Sequence, residues 1–278
     1  MRFCLAARIL SATAALTALS FFGAKTAAAS DRRFTYVYGS EVLAPGNVEL
    51  EPWTTIRFGR DGFFIRMDHR LELEVGLTSW VQTAFYFNFK STSLDVRKPG
   101  APTTRETTFE WQGVSSEWKF KLADNIADPL GVGLYIEPSI SPSEAELEAK
   151  VLLDKRAGDV YVAYNLIGEY DAAFDGPGQT AHELVLQNSA GAAYFFTDDV
   201  ALGIEGRNES VWVVGEGLEG STFFAGPTVS FSQKRWWAAA SVLPQIASIR
   251  RKGEAKGGIQ DLTHNERMNV RILFGVDL

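Results

Sequence analysis

Three histidines and a single cysteine limit the nucleophilic and metal chemistry open to this 278-residue chain. A serine hydrolase built on a strand needs a His and a Ser two residues apart on one face, with an Asn or Asp nearby, so that the imidazole can take the serine proton. No His-x-Ser occurs around His69, His182 or His264. A paired-carboxylate hydrolase needs Asp-x-His on one face near a rim, but Asp68 and His69 are adjacent and so point to opposite sides of a strand. His264 stands near Asp261 and Glu266 in a stretch that reads as a loop, where such groups are ordinarily solvated. The His and Cys residues lack zinc spacing, and the acids lack the spacing of a calcium-binding loop. Gly215, Gly217 and Gly220 lack the strand–helix context of a phosphate cradle. No catalytic residue, metal ligand or cofactor is expected, and the chain does not read as an enzyme.

The chemistry on offer is charge carried on one face of extended segments. Between Ile65 and Leu77, the residues Arg66, Asp68, Arg70, Glu72 and Glu74 lie opposite Ile65, Met67, Leu71, Leu73, Val75 and Leu77. Glu144, Glu146, Glu148 and Lys150 lie opposite Ala145, Leu147, Ala149, Val151 and Leu153, and Arg271 alternates with Val270, Ile272 and Phe274. Glu117, Lys119, Lys121, Glu137, Glu169, Glu205 and Arg207 take the polar side of their own segments. A helix would scatter these charges around its circumference, whereas period-2 alternation is the mark of a strand. Twelve strands are predicted, at roughly 49–58, 64–76, 80–90, 109–122, 130–137, 144–154, 159–171, 182–195, 200–208, 222–232, 235–246 and 266–278.

Composition agrees with an ordered all-β chain. Hydrophobic residues make up 46% and aromatics 12%, which excludes disorder. One cysteine excludes a disulfide scaffold, and a net charge of −7 argues against nucleic-acid binding. Residues 1–29 have a basic start, an Ala- and Leu-rich apolar run and the small stretch Ala27-Ala28-Ala29, the pattern of a cleaved secretory signal peptide. The links between the remaining strands alternate. Short ones fall near Gly76–Ser79, Lys155–Gly158 and Gln233–Lys234; longer polar ones cover 91–108, 172–181, 209–221 and 247–265. Short turns on one side and long loops on the other are the habit of an outer-membrane barrel. The expected architecture over 30–278 is therefore a transmembrane antiparallel up-and-down β-barrel of about twelve strands, with both termini periplasmic.

A soluble barrel would show the same alternation, so other features must separate the two. Strands of this length suit a tilted bilayer crossing. Trp53, Trp80, Trp118, Tyr161, Tyr194, Phe195, Trp236 and Trp237 gather beside the short turns, where an interfacial girdle is expected. The chain also ends on an alternating strand with an apolar last residue, Leu278, similar to the signal read by the outer-membrane barrel assembly machinery. His69 and Asn188 fall on the lipid side, and Pro227 and Pro244 interrupt strands; each predicts a bulge or a local register shift.

The hairpin Glu72-Leu-Glu-Val-Gly-Leu-Thr-Ser-Trp-Val-Gln82 and the aromatic strand after it resemble a family of uncharacterised Gram-negative, porin-like outer-membrane β-barrels, whose hairpin reads ELEYGLTDRLQ. Asp128–Pro138, Glu146–Lys150, Ala163–Leu166, Gly203–Asn208, Ala225–Pro227 and Trp236–Gln245 are similar to the same family. The resemblance implies an outer-membrane location and carries no activity with it. The candidate functional residues are then the lumen-facing charges Arg66, Arg70, Glu72, Glu74, Lys119, Lys121, Glu146, Glu148, Lys150, Glu205, Arg207 and Arg271. In a watery lumen they tune a passive or substrate-selective channel for small solutes, weakly preferring cations because acids outnumber bases. In a narrow one they pair across strands and plug a structural or adhesive barrel; an outer-membrane hydrolase is the remaining alternative. Expected partners are outer-membrane lipid, the barrel assembly machinery during biogenesis and small solutes, with no nucleic acid.

Overall fold

The computed structural model describes residues 32–97, 99–100, 102–174, 180–250 and 258–278. The expected signal peptide, 1–29, lies outside the described residues. Twelve strands follow in order: β1 (Val48–Phe58), β2 (Phe64–Gly76), β3 (Val81–Val96), β4 (Thr104–Ala123), β5 (Gly131–Ile140), β6 (Glu144–Ala157), β7 (Val160–Phe174), β8 (Thr180–Phe195), β9 (Val200–Val213), β10 (Gly217–Gln233), β11 (Trp236–Arg250) and β12 (Met268–Asp277). Each pairs antiparallel with its neighbours in sequence, and β12 pairs with β1 to close the barrel. Closure leaves no free edge, so every strand can satisfy its backbone internally, as a bilayer requires. Among the described residues there is no helix.

The strands reach further at the loop end than the alternation predicts. The expected links 91–108 and 209–221 shrink to 97–103 and 214–216. The added residues, such as Ser91-Thr92-Ser93 and Thr104-Arg105-Glu106, are polar on both faces. That is what strands standing in water on both sides should show, and it erases the two-residue period. Pro227 and Pro244 fall together in one gap: β10 and β11 pair at Phe224↔Gln245 and again at Thr228↔Ser241, with nothing between, and the register shifts at Phe223/Phe224. A missing donor on each strand accounts for the interruption.

Alternate residues of every strand form an exposed apolar outer face, carried by Leu71, Phe85, Leu134, Leu166, Ile204 and Phe274 among others. The two polar residues expected to mark bulges do not. His69 stays on the outer face and its Nδ1 pairs with Thr54 Oγ1 at 2.9 Å. Asn188 does likewise, accepting a hydrogen bond from Tyr164 Oη at 2.6 Å. Both rows keep an unbroken register, because a cross-strand hydroxyl satisfies each polar group where it stands. The aromatic expectation needs a larger correction. Trp80, Trp118, Tyr194 and Trp236 are exposed on the outer face, but Trp53, Tyr161, Phe195 and Trp237 are buried inside. Tyr194-Phe195 and Trp236-Trp237 are neighbours on a strand, so one member of each pair must turn inward.

Candidate functional site

Tyr161 and Phe195 pack against a segment that the strand count does not include, whereas Trp53 and Trp237 cluster with Ala239 and Leu273 of the barrel wall. Residues 32–47, ahead of β1, run inside the barrel and bury Phe34, Thr35, Tyr36, Val37, Ser40 and Leu43. With no strand partner, the segment takes its hydrogen bonds from lumen side chains. Glu205 on β9 accepts the N–H of Thr35 at 3.0 Å, the N–H of Tyr36 at 2.9 Å and the Thr35 hydroxyl at 2.7 Å. Asn165 on β7 brackets Tyr38 as a paired strand would, accepting its N–H at 2.7 Å and donating to its carbonyl at 2.9 Å. Gln82 on β3 accepts the N–H of Leu43 at 2.8 Å. Phe34 stacks on Tyr161 with ring centroids 5.8 Å apart, and the Arg271 guanidinium covers the Tyr36 ring at 3.6 Å. Lys150 reaches the ring faces of Tyr38 and Tyr135 at 4.1 and 3.9 Å.

This plug divides the lumen into two cavities. The one toward the loop end encloses about 410 Å³, with Tyr36 and Tyr38 of the plug in its floor. Arg66, Arg70, Glu146, Glu148, Lys150, Arg207 and Arg271 all line it. The cavity toward the turn end, about 420 Å³, is lined by Arg32, Glu74, Lys119 and Lys121. Glu205 and Glu72 lie buried away from both. The twelve charges are thus brought to one lumen, yet they do different work: Glu205, Arg271, Lys150 and Arg207 touch the plug, whereas Arg70 and Lys121 pair with Glu137 and Asp124.

Charge in the upper cavity is segregated. Arg271 on β12, Arg57 on β1, and Arg66 and Arg70 on β2 occupy one arc. Glu144, Glu146 and Glu148 on β6 and Glu169 on β7 occupy the far side of the ring, four to six strands away. Some charge is neutralised locally: Arg57 and Arg66 share Asp68 at 2.8 and 2.6 Å, Arg70 meets Glu137 at 3.1 Å, and Lys150 meets Glu148 at 2.8 Å. Bases on the wall match acids in number, so the acid surplus expected of the lumen as a whole lies elsewhere, among the buried glutamates of the turn end. A field directed across the bore can orient a polar solute without strongly preferring either sign of charge.

At the loop end, residues 258–267 fold against the rim. Gln245 on β11 accepts the N–H of Asp261 at 2.7 Å, and Asp261 in turn accepts from His264 Nδ1 at 3.0 Å. Burial would raise the Asp261 carboxyl, but hydrogen bonds from the His264 side chain and the amides of His264 and Thr263 hold it below its ordinary range. Burial likewise opposes ionisation of Glu266 and is outweighed by the Arg57 and Arg207 guanidiniums. His264, whose side chain is exposed to solvent, thus serves as a structural donor. The nearest approach to a nucleophile–base pair is Thr54 with His69, and among the described residues no carboxylate or amide hydrogen-bonds that imidazole. The plug carries no two-residue or helical period. Its signal is the run Phe34, Tyr36, Val37 and Leu43, too apolar for a solvated leader to β1.

The barrel is similar in fold to solved outer-membrane proteins. It aligns with the NanC porin at a TM-score of 0.52 and 11% identity, over 82% of this chain and all (100%) of that one. The β domain of the Bordetella autotransporter BrkA gives 0.49 and 9%, covering 84% and 100% of the two chains. The KdgM porin, solved in complex with disordered oligogalacturonate, gives 0.44 and 10%, covering 83% and 99%. No curated protein matches. Residues 26–278 match a family described as "Family of unknown function (DUF6662)", and the chain belongs to it.

Proposed function

We propose that this is an outer-membrane protein that passes small polar solutes through a lumen held shut by its own N-terminal segment. The observation that carries the reading is the upper cavity, whose volume of about 410 Å³ is within the range of small-molecule sites and whose acidic and basic walls face each other. The apolar outer face and the likeness to a porin support the membrane location, and both ends of the barrel lie at the turn end, taken as periplasmic. Cleavage after Ala29 would make the segment that fills the lumen the new N-terminus, still joined to β1. Lipid covers the outer face, and the assembly machinery inserts the barrel.

Anchorage of the plug favours a second reading, a structural or adhesive barrel closed for good, since residues of β3, β7, β9 and β12 all grip it. Conductance in a planar bilayer separates the two. The full chain should conduct rarely or not at all, and a chain lacking residues 32–46 should conduct steadily. A plugless barrel that is folded, as judged by its shift in gel mobility on boiling, and still silent would refute the channel.

A further inference from the structure

The turn end of the lumen holds a group of acids that neither the plug's main anchor nor the upper cavity uses. Glu49 and Glu51 on β1, Glu72 and Glu74 on β2 and Glu117 on β4 all face inward and are buried. The register sets Glu49 against Glu74 and Glu51 against Glu72. Some find donors: Trp237 Nε1 reaches Glu49 at 2.9 Å, and Glu117 accepts from the Tyr86 hydroxyl and from Gln82. Arg32 reaches one oxygen of Glu51 at 3.4 Å. Glu72 finds none. It is fully buried, and neither of its oxygens has a hydrogen-bond partner; nor has the second oxygen of Glu51. A buried carboxylate without a donor bears its whole desolvation penalty.

Oxygens from Glu51, Glu72 and Glu74 all lie within 4.8 Å of one another. Oxygens that close can share one hard cation, and magnesium, which keeps several of its waters, suits an enclosed all-protein site less well than calcium. Three carboxylates with no nitrogen or sulfur are a hard donor set, unsuited to zinc or copper. Glu74 also lines the lower cavity, which gives a cation an approach from the turn end.

We propose that Glu51, Glu72 and Glu74 bind one calcium-class divalent cation at the base of the lumen. The ion supplies a partner for the Glu72 oxygens and ties β1 to β2 beside the start of the plug. The inference stands apart from the transport reading, since a sealed barrel needs the same neutralisation.

The test uses the full chain, folded in detergent micelles and stripped with a chelator, then titrated with Ca²⁺ in a calorimeter. The wild type should take up an ion at this site, and its thermal midpoint should rise with Ca²⁺ by mass action. Glu72→Gln, which has nearly the same shape and removes an unpaired buried charge, should weaken uptake about tenfold or more, because calcium affinity follows ligand charge count. Glu146→Gln with Glu169→Gln, which disarms the separate acidic group on β6 and β7, should leave that uptake intact. If Glu72→Gln does not fold, Glu74→Gln takes its place with the same expectation. A stripped wild type that takes up no Ca²⁺ overturns the proposal and leaves the acids holding protons. Uptake lost only with Glu146 and Glu169, or unchanged in the Glu72 or Glu74 variant, overturns it equally.

Discussion

Glu205→Gln isolates the hold of the barrel on its plug. The buried carboxylate takes three hydrogen bonds from two consecutive plug residues, two from backbone N–H groups and one from the Thr35 hydroxyl. Bonds to an ionised group are each worth roughly 1.5–3 kcal/mol, against about 0.5–1.5 for neutral ones. Glutamine keeps one accepting oxygen and turns an NH₂ toward a donor that the other oxygen served. At least one bond is lost and the remainder fall to neutral strength, a cost of about 3–6 kcal/mol before relaxation. Even the lower figure changes the ratio of docked to undocked plug by a factor of about a hundred. Arg271, which donates to the Thr35 carbonyl at 3.3 Å, remains as a second hold on the same plug residue.

Hydrogen exchange reads this directly. The amides of Thr35 and Tyr36 are the donors concerned, so their exchange should quicken about a hundredfold, while the ladder amides of β8, β9 and β10 around Gly191, Glu205 and Gly226 keep their protection. Unchanged exchange at Thr35 and Tyr36 in a folded variant would falsify the reasoning, and would mean that packing around Phe34 and Tyr36 holds the plug without Glu205.

Gly191→Ala approaches the plug from the other side: a Cβ there would stand 2.7 Å from the Phe34 ring, so Phe34 should leave its stack on Tyr161, seen as increased exchange of plug amides in an intact barrel. The loop 258–267 should loosen in acid. Asp261 and Glu266 have depressed folded pKa values, so their stabilisation is complete above the unfolded carboxylate range and is lost as pH falls through the folded values. Proteolysis or exchange of that loop should rise below about pH 4, and a rate that is flat down to pH 2 would refute it. In the plugless barrel, Glu146→Gln with Glu148→Gln should shift the reversal potential in a salt gradient toward anions, since it strips the acidic arc and frees Lys150 from Glu148. A double variant that fails to fold would instead make those charges structural.

What could be read from the sequence followed from locality. Arg66 to Glu74 alternate with Met67 to Leu73 on one strand, so a short window fixes both the element and the face. Where both faces share one environment, as in Ser91-Thr92-Ser93 above the membrane, the same window carries no contrast and the strand end is lost. His69 and Asn188 failed as bulge markers for a related reason: their partners, Thr54 and Tyr164, lie 15 and 24 residues away on a neighbouring strand.

The plug is the extreme of that limitation. Between Arg32 and Asn47 its neighbours are Glu51, Gln82, Asn165, Glu205 and Arg271, spread across the whole barrel, so no periodicity in 32–47 could declare them. Seen from the strands, Asn165 and Glu205 are merely polar residues on the polar face, the same in sequence as Arg66 or Glu146, which line open space. The distinction lies in what the residue faces across the bore. Inward aromatics were a second local hint. A lumen filled with water has no use for Tyr161, Phe195 and Trp237 on its inner wall, and their parity beside Tyr194 and Trp236 already forced some of them inside. Apolar rings on an inner face require an apolar object to cover them, and Phe34, Tyr36, Val37 and Leu43 stand ahead of β1. Parity of that kind, applied to the aromatics before any was assigned to the membrane boundary, is the step by which this sequence could have revealed its plug.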